Sequence, residues 1–144
     1  MAGENALIMF AKYPEPGKVK TRLAKVMGDG AACELYSSFL QDLCQEHQGR
    51  GYDVVVAYHP ISSETLFRAF FRNRGRLHFF AQQGDDLGER MHHCFETLLR
   101  RYQKVIIIGC DIPHLDHAVV DKALVVLNSV DVVIGPAEDG GYYL

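Results

Sequence analysis

VIIIG (residues 105–109), followed at once by Cys110 and Asp111, is the stretch of sequence that decides the fold. Its first four residues are apolar and β-branched, and no polar residue alternates with them. A strand of this kind is covered on both faces, which is typical of a parallel sheet lying between two layers of helices. The run VVVA (54–57) has the same character. The sequence therefore predicts a buried, mainly parallel sheet.

Outward from this stretch, apolar runs alternate with amphipathic helical patterns. This alternation predicts right-handed βαβ units, and hence a single α/β domain over residues 1–144 with helices on both faces of the sheet. The predicted strands are Ala6–Ala11, Val54–Tyr58, Leu77–Ala81, Val105–Gly109 and Val130–Gly135. The predicted helices span residues 32–43, 64–71, 91–102 and 117–127, with Ser62 or Ser63 and Asp116 as caps of the second and last.

Composition excludes several classes of protein. The chain has 144 residues, of which 48% are hydrophobic and 23% charged, with a net charge of −3. These values are ordinary for a globular domain and give no argument for a nucleic-acid or membrane partner. The four cysteines have no C-x-x-C spacing, so we expect free thiols and a cytoplasmic location. Oligomeric state is left open, with a homodimer as one alternative.

The loop after the first strand, KYPEPGKVKTR (12–22), is rich in positive charge. In an open α/β sheet, ligands bind beyond the C-terminal ends of the strands. Two prolines stiffen this loop, Gly17 lets its backbone approach a ligand, and Thr21 is predicted to cap the following helix. Such a loop suits a polyphosphate, although a solvated basic loop is the alternative. The predicted phosphate-binding cations are Lys12, Lys18, Lys20 and Arg22.

The segment after the third strand, QGDDLGER (83–90), contributes a second basic group. Gly88 belongs to a flexible turn that leads into a helix, and Arg90 lies in the first turn of that helix. We predict that both residues belong to the phosphate site. An ordinary acidic helix start, with Asp86 as its cap, explains the segment equally well.

Asp111 follows the fourth predicted strand, where a buried carboxylate would need a compensating cation. Mg²⁺ or Mn²⁺, which binds one or two carboxylates together with substrate phosphates, would supply it; a loop or capping role is the alternative.

Glu138 and Asp139 follow the fifth predicted strand and could complete the metal shell or accept a proton, although Asp-Gly-Gly is also a plain turn. None of the seven histidines has a zinc spacing. The predicted metal ligands are Asp111 and Asp139.

Four motifs occur in a recognisable order: FAKYPEPGKVKTRL, DLGERM, IIIGCDIP and GPAEDGGYYL. Together they resemble a bacterial family called radical-SAM/selenodomain-associated transferase 1, also described as an arsenosugar-biosynthesis glycosyltransferase. That family is assigned to the GT-A nucleotide-diphospho-sugar transferase superfamily and is related to guanylyltransferases acting on phospholactate and molybdopterin. The resemblance implies a Rossmann-like GT-A fold and functional residues at Lys12, Pro14, Gly17, Lys20, Thr21, Arg22, Asp111 and Asp139–Gly141.

The resemblance also identifies two departures from the family pattern. Cys110 stands where serine or another small residue is expected. Family members continue beyond the motif that ends at Leu144, into further strands and helices that would shape the acceptor pocket, so the resemblance implies a C-terminally truncated domain.

Three functions remain open at this stage. The first is a metal-dependent transferase that uses a nucleotide-sugar and an unknown small-molecule acceptor, with Asp139 and Lys20 as catalytic residues. The second is a nucleotidyltransferase that uses a nucleoside triphosphate and releases pyrophosphate. The third is a nucleotide-binding module without turnover.

Overall fold

The chain alternates strands and helices throughout. The structure, a computed structural model, describes residues 3–144. A 3₁₀ turn, Ile61–Ser63, precedes the helix Glu64–Phe70. The elements in order are β1 (Asn5–Lys12), α1 (Thr21–Met27), α2 (Asp29–His47), β2 (Asp53–His59), α3 (Glu64–Phe70), β3 (His78–Ala81), α4 (Leu87–Leu98), β4 (Lys104–Gly109) and α5 (His117–Val126).

The four strands form one parallel sheet in the order β3-β2-β1-β4. β1 lies in the middle, where Ile8 pairs with Val55 on one side and with Ile107 on the other. All C-terminal strand ends therefore meet at one edge of the sheet. This arrangement confirms the predicted α/β class and the parallel sheet.

Side chains on alternate strand positions enter two separate cores, because successive residues of a strand point to opposite faces. Leu7 and Met9 of β1 pack with α2, α3 and α5 on one face. Ala6 and Ile8 pack with Cys94 and other residues of α4 on the opposite face. Helices thus cover both faces, as the unbroken apolar runs predict.

The predicted fifth strand, Val130–Gly135, is wrong. Residues 130–135 join no strand of the sheet, and the pairing found nearby in the described chain is an isolated antiparallel bridge between Pro136 and Tyr142. Strand preference mostly reflects packing on a sheet, and here a cavity of about 920 Å³ separates this run from β4. We call this cavity the β4-edge groove; it is lined by Met91, Phe95, Leu99, Val105, Ile107 and Ile134, among others.

Of the four predicted helix caps, two are confirmed and one is wrong, while Ser63 occupies the capping position of α3 but its hydroxyl donates to the carbonyl oxygen of Pro60 instead of accepting from a helix N–H. Asp86 accepts a hydrogen bond from the N–H of Glu89, and Asp116 accepts one from the N–H of Ala118. Thr21 is the first residue of α1 rather than its cap. The capping position is taken by Lys20, which makes no side-chain bond to the helix.

The cysteines behave as the sequence predicts, since all four are buried free thiols. Among residues 3–144, no helix combines the length and the apolar character that crossing a membrane requires.

Candidate functional site

A cavity of about 290 Å³ lies at the C-terminal edge of the sheet, beside the ends of β1, β2 and β4. It is close to the lower size limit of small-molecule sites. The larger β4-edge groove is lined mainly by apolar side chains, so the chemistry-bearing residues belong to the smaller cavity. The polar residues that line it are Lys12, Tyr36, His59, Gln82, Arg90 and Asp111.

Gln82 joins the ends of two strands beneath this cavity. Its side-chain amide donates hydrogen bonds to the carbonyl oxygens of Ala57 (2.7 Å) and Ala11 (3.3 Å). The residue is buried, so these bonds satisfy a group that would otherwise be costly to bury. The two donated bonds fix the orientation of the amide, and its Oε1 is the end available as an acceptor.

Arg90 is held in place by the turn that precedes it. Its Nε donates to the carbonyl oxygen of Gly84 at 3.0 Å, which leaves the other guanidinium donors for a ligand. Gly84 has φ of 138°, and a Cβ there would lie 2.7 Å from Cβ of Glu89. Since that contact is too short for any side chain, glycine is required for the turn that orients Arg90.

Asp111 lies just beyond β4, but its environment differs from the predicted one. β4 is an edge strand of the described sheet, and the Asp111 side chain is 74% exposed. The argument that burial obliges Asp111 to bind a cation is therefore wrong. Its carboxylate nevertheless has a cationic partner, because the ammonium of Lys20 pairs with it from the basic loop.

Two neighbouring groups of the cavity are uncharged near neutral pH. Burial, followed by the charges of Arg90 and Lys12, lowers the pKa of His59 below its ordinary value of 6.5. Burial, reinforced by the charge of Asp111, raises the pKa of the Cys110 thiol to about 12. Cys110 is therefore a packing residue and not a nucleophile.

The structure brings together some of the predicted phosphate-binding residues and leaves others apart. Lys12, Arg90 and Asp111 line the cavity, and Lys20 reaches it through Asp111. Lys18 is exposed and pairs with Glu15 at 3.2 Å. The remaining predicted residues do not line the cavity: Pro14, Gly17, Thr21, Arg22 and Gly88.

Asp139 is also outside the cavity. It is exposed, and its Oδ1 accepts a hydrogen bond from the N–H of Gly141 at 2.9 Å, which closes a local turn. The arrangement matches the plain-turn alternative for Asp-Gly-Gly.

Sequence reasoning missed His59 and Gln82, although the signal was available. The second predicted strand, in VVVAYH (54–59), ends directly before a histidine, His59. The same rule that selects Asp111, a polar residue at the end of a parallel strand, selects His59 as well. Gln82 follows β3 directly and qualifies in the same way.

Known proteins resemble this chain both in structure and in family. A crystal structure from Desulfovibrio desulfuricans G20, provisionally described as a nucleotide-diphospho-sugar transferase, matches 98% of this chain at 42% identity with a TM-score of 0.91. This chain spans 62% of that protein's length. A search of curated proteins found no match.

The fold of the chain is thus that of a protein described as a nucleotide-diphospho-sugar transferase. The family model DUF2064, described as an uncharacterised protein conserved in bacteria, matches residues 42–144. Because that match covers most of the chain, the protein belongs to the DUF2064 family.

Proposed function

We propose that this chain carries the nucleotide-binding part of a metal-dependent transferase that uses a nucleotide-sugar. The observation that carries the proposal is the meeting of Lys12, Arg90 and Asp111 around one cavity at the C-terminal edge of the sheet. Cations beside a carboxylate suit a diphosphate that is bound together with a divalent cation. The name given to the D. desulfuricans protein supports the same function.

The residues around the cavity fit distinct parts of such a substrate. Lys12 and Arg90 would bind phosphate oxygens, with Lys20 close by. The neutral ring of His59 and the oriented amide of Gln82 offer hydrogen bonds without adding charge, which suits a base or a sugar hydroxyl. The side chain of Phe10 also lines the cavity and provides the apolar surface that ligand sites usually have.

Asp111 is the residue proposed to hold Mg²⁺ or Mn²⁺. Its donor atoms are carboxylate oxygens, which these ions prefer, and its exposure leaves room for water and phosphate ligands. A divalent cation there would offset the charge that develops on the leaving nucleoside diphosphate.

Nucleotidyl transfer is the second candidate function. Lys12, Lys20 and Arg90 would suit a triphosphate as well as a diphosphate, so the product distinguishes the two reactions. Release of pyrophosphate from a nucleoside triphosphate would indicate nucleotidyl transfer, and release of a nucleoside diphosphate from a nucleotide-sugar would indicate glycosyl transfer. Nucleotide binding without any product would indicate a binding module.

Several finer assignments stay predictions. These are membership in the radical-SAM/selenodomain-associated subfamily, the small-molecule acceptor and the cytoplasmic location. Asp139 as catalytic base or second metal ligand also stays a prediction. Its Oδ1 accepts the hydrogen bond from Gly141, so its Oδ2 is the atom that would accept a proton or bind a metal.

The decisive experiment titrates nucleoside diphosphates and nucleotide-sugars at several Mn²⁺ concentrations. A divalent cation at Asp111 would offset the negative charge of the bound phosphates. Each ligand should therefore raise the affinity of the other by the same factor, about 5- to 150-fold in typical coupled sites. Asp111→Asn keeps the shape but removes the charge, so the coupling should disappear.

Asp85→Asn is the matched control, since it removes one charge from the same edge of the sheet at an exposed residue that does not line the cavity. It should retain the coupling. Nucleotide affinity that does not depend on Mn²⁺ in the parent protein, or full dependence in Asp111→Asn, would contradict the proposed metal site.

A further inference from the structure

Lys20 has an unusual backbone conformation. Its φ of 51° and ψ of 43° are left-handed, and it is the one non-glycine residue with positive φ in residues 3–144. For such a residue this conformation costs about 1–2 kcal/mol per position. The carbonyl oxygen of Lys20 accepts the first hydrogen bond of α1, from the N–H of Ala24, but its side chain caps no helix N–H. Backbone strain of this kind clusters at functional sites.

The side chain of Lys20 gives a reason for this conformation. Its ammonium pairs with the carboxylate of Asp111, which lies far away in the sequence at the end of β4. The same Nζ lies 5.5 Å from the ring centroid of Tyr36 and 6.0 Å from that of Phe39, both on α2. Aromatic faces attract cations at this range. The side chain is only 19% exposed, so the ammonium is held between a carboxylate and two rings.

The helix that follows Lys20 is free to adjust. α1 has no buried residue, whereas each of the other four α-helices of the described chain has at least one. A shift of α1 therefore removes none of that helix's side chains from the core, although Val19, directly before Lys20, is a core residue.

An ammonium and a divalent cation cannot occupy the same place beside one carboxylate. We propose that Lys20 acts as a cation latch: its ammonium holds Asp111 in the metal-free protein, and metal binding releases it toward the phosphates of the nucleotide. This inference rests on the function proposed above, because it takes Asp111 as the metal ligand. It makes Lys20 an inhibitor of metal binding and a contributor to nucleotide binding.

The opposite signs of these two effects give the test. Binding of Mn²⁺ alone, without nucleotide, is measured from the electron paramagnetic resonance signal of free Mn²⁺. Lys20→Gln should bind Mn²⁺ about 5- to 30-fold more tightly than the parent, the combined effect of losing an ion pair and ring contacts of ordinary strength. At saturating Mn²⁺, the same variant should bind UDP, GDP or ADP, whichever the parent binds, about tenfold more weakly or worse.

Lys18→Gln is the matched control, because it removes the same charge two residues away from an exposed side chain that pairs with Glu15. Lys20→Gly provides a second variant that suits the left-handed backbone and should fold at least as well as the parent. If neither Lys20 variant binds Mn²⁺ more tightly than Lys18→Gln does, the latch is refuted.

The outcome for Asp111→Asn separates this inference from the proposed function. If Asp111→Asn binds Mn²⁺ as the parent does, the proposed metal site fails. If it loses Mn²⁺ binding while the Lys20 variants bind as the parent, the metal site stands and the latch alone fails.

Discussion

At the scale of single residues, Arg90 and Arg22 carry the same charge in different surroundings. Arg90 lines the cavity and is oriented by the carbonyl of Gly84. Arg22 is exposed on α1 and does not line the cavity, although the sequence places it in the phosphate-binding loop. Equal charge therefore does not imply an equal contribution to binding.

We expect Arg90→Ala to weaken nucleotide binding by about 1.5–3 kcal/mol, the range for hydrogen bonds to charged groups. Arg22→Ala should have a much smaller effect because its side chain is exposed and screened by solvent. Isothermal titration with a nucleoside diphosphate and Mn²⁺ measures both. A larger loss in Arg22→Ala than in Arg90→Ala would mean that α1 closes onto the phosphates and that the sequence-based assignment was the better one.

The site was predictable from sequence where a residue follows a strand directly. This rule selects Lys12 and Asp111, whereas Arg90 is predicted from the helix start that follows the third strand; the structure places all three around one cavity. Loop positions such as Arg22 were not predictable, because sequence spacing does not determine which way a loop turns. The αL conformation of Lys20 could not be predicted either, since it depends on a partner at the end of another strand.

At the scale of elements, the contact between α2 and α5 depends on Glu46. One oxygen of Glu46 accepts a hydrogen bond from the N–H of His117 at 3.1 Å and lies 2.6 Å from its Nδ1. Asp116 is 3.3 Å from the same ring nitrogen. These hydrogen bonds join the last turn of one helix to the first turn of the other.

This contact makes stability depend on pH. The bonds to His117 lower the pKa of Glu46 below its ordinary value of 4.5. A lowered pKa in the folded state contributes stability above the unfolded pKa, and that contribution disappears as pH falls through the folded value. Since Glu46 is 36% exposed, we expect it to amount to about 0.2–1 kcal/mol.

Urea unfolding of the parent and of Glu46→Gln at pH 7, 5 and 3.5 measures this contribution. Glutamine can still accept the backbone bond but does not titrate, so the difference between the two proteins should shrink toward the lowest pH. His117→Asn should remove most of the same pH dependence. A difference between parent and Glu46→Gln that is constant across these values would contradict the assignment.

Elements were predictable where a chemical pattern is local. Apolar runs located β1 to β4, and aspartates at the starts of α4 and α5 are caps as expected. The run 130–135 has equal strand propensity but no strand, because the β4-edge groove lies between it and the free edge of β4. That separation belongs to the tertiary structure and leaves no trace in the run itself.

At the scale of the whole molecule, the β4-edge groove is an apolar surface beside an unpaired strand. β4 has a neighbour on one side only, and an unpaired strand edge is a template for association. Apolar side chains around the groove remain exposed, among them Leu99, Val132 and Ile134. Such a surface is typical of an interaction site.

We therefore expect the 144-residue chain to associate as its concentration rises, by contacts in this groove. Leu99→Lys places a charge at the groove and should shift sedimentation toward the monomer. Val26→Lys makes the same kind of change at an exposed apolar residue of α1, away from the groove, and should not. A parent protein that sediments as a monomer at all concentrations, or equal effects of the two lysines, would contradict this expectation.

The position of β1 between β2 and β4 also matters during synthesis, because β1 is made first and its two neighbours are made later. Ile8 can pair with β2 only after Val55 has been synthesised, and with β4 only after Ile107 has been synthesised. At ordinary elongation rates of about 5–20 residues per second, the interval between these two events lasts on the order of 3–10 s. Throughout that interval the emerging chain offers an apolar strand edge to its neighbours on the polysome. Association between nascent chains through β1 is therefore most favoured in this interval, before β4 can pair with β1.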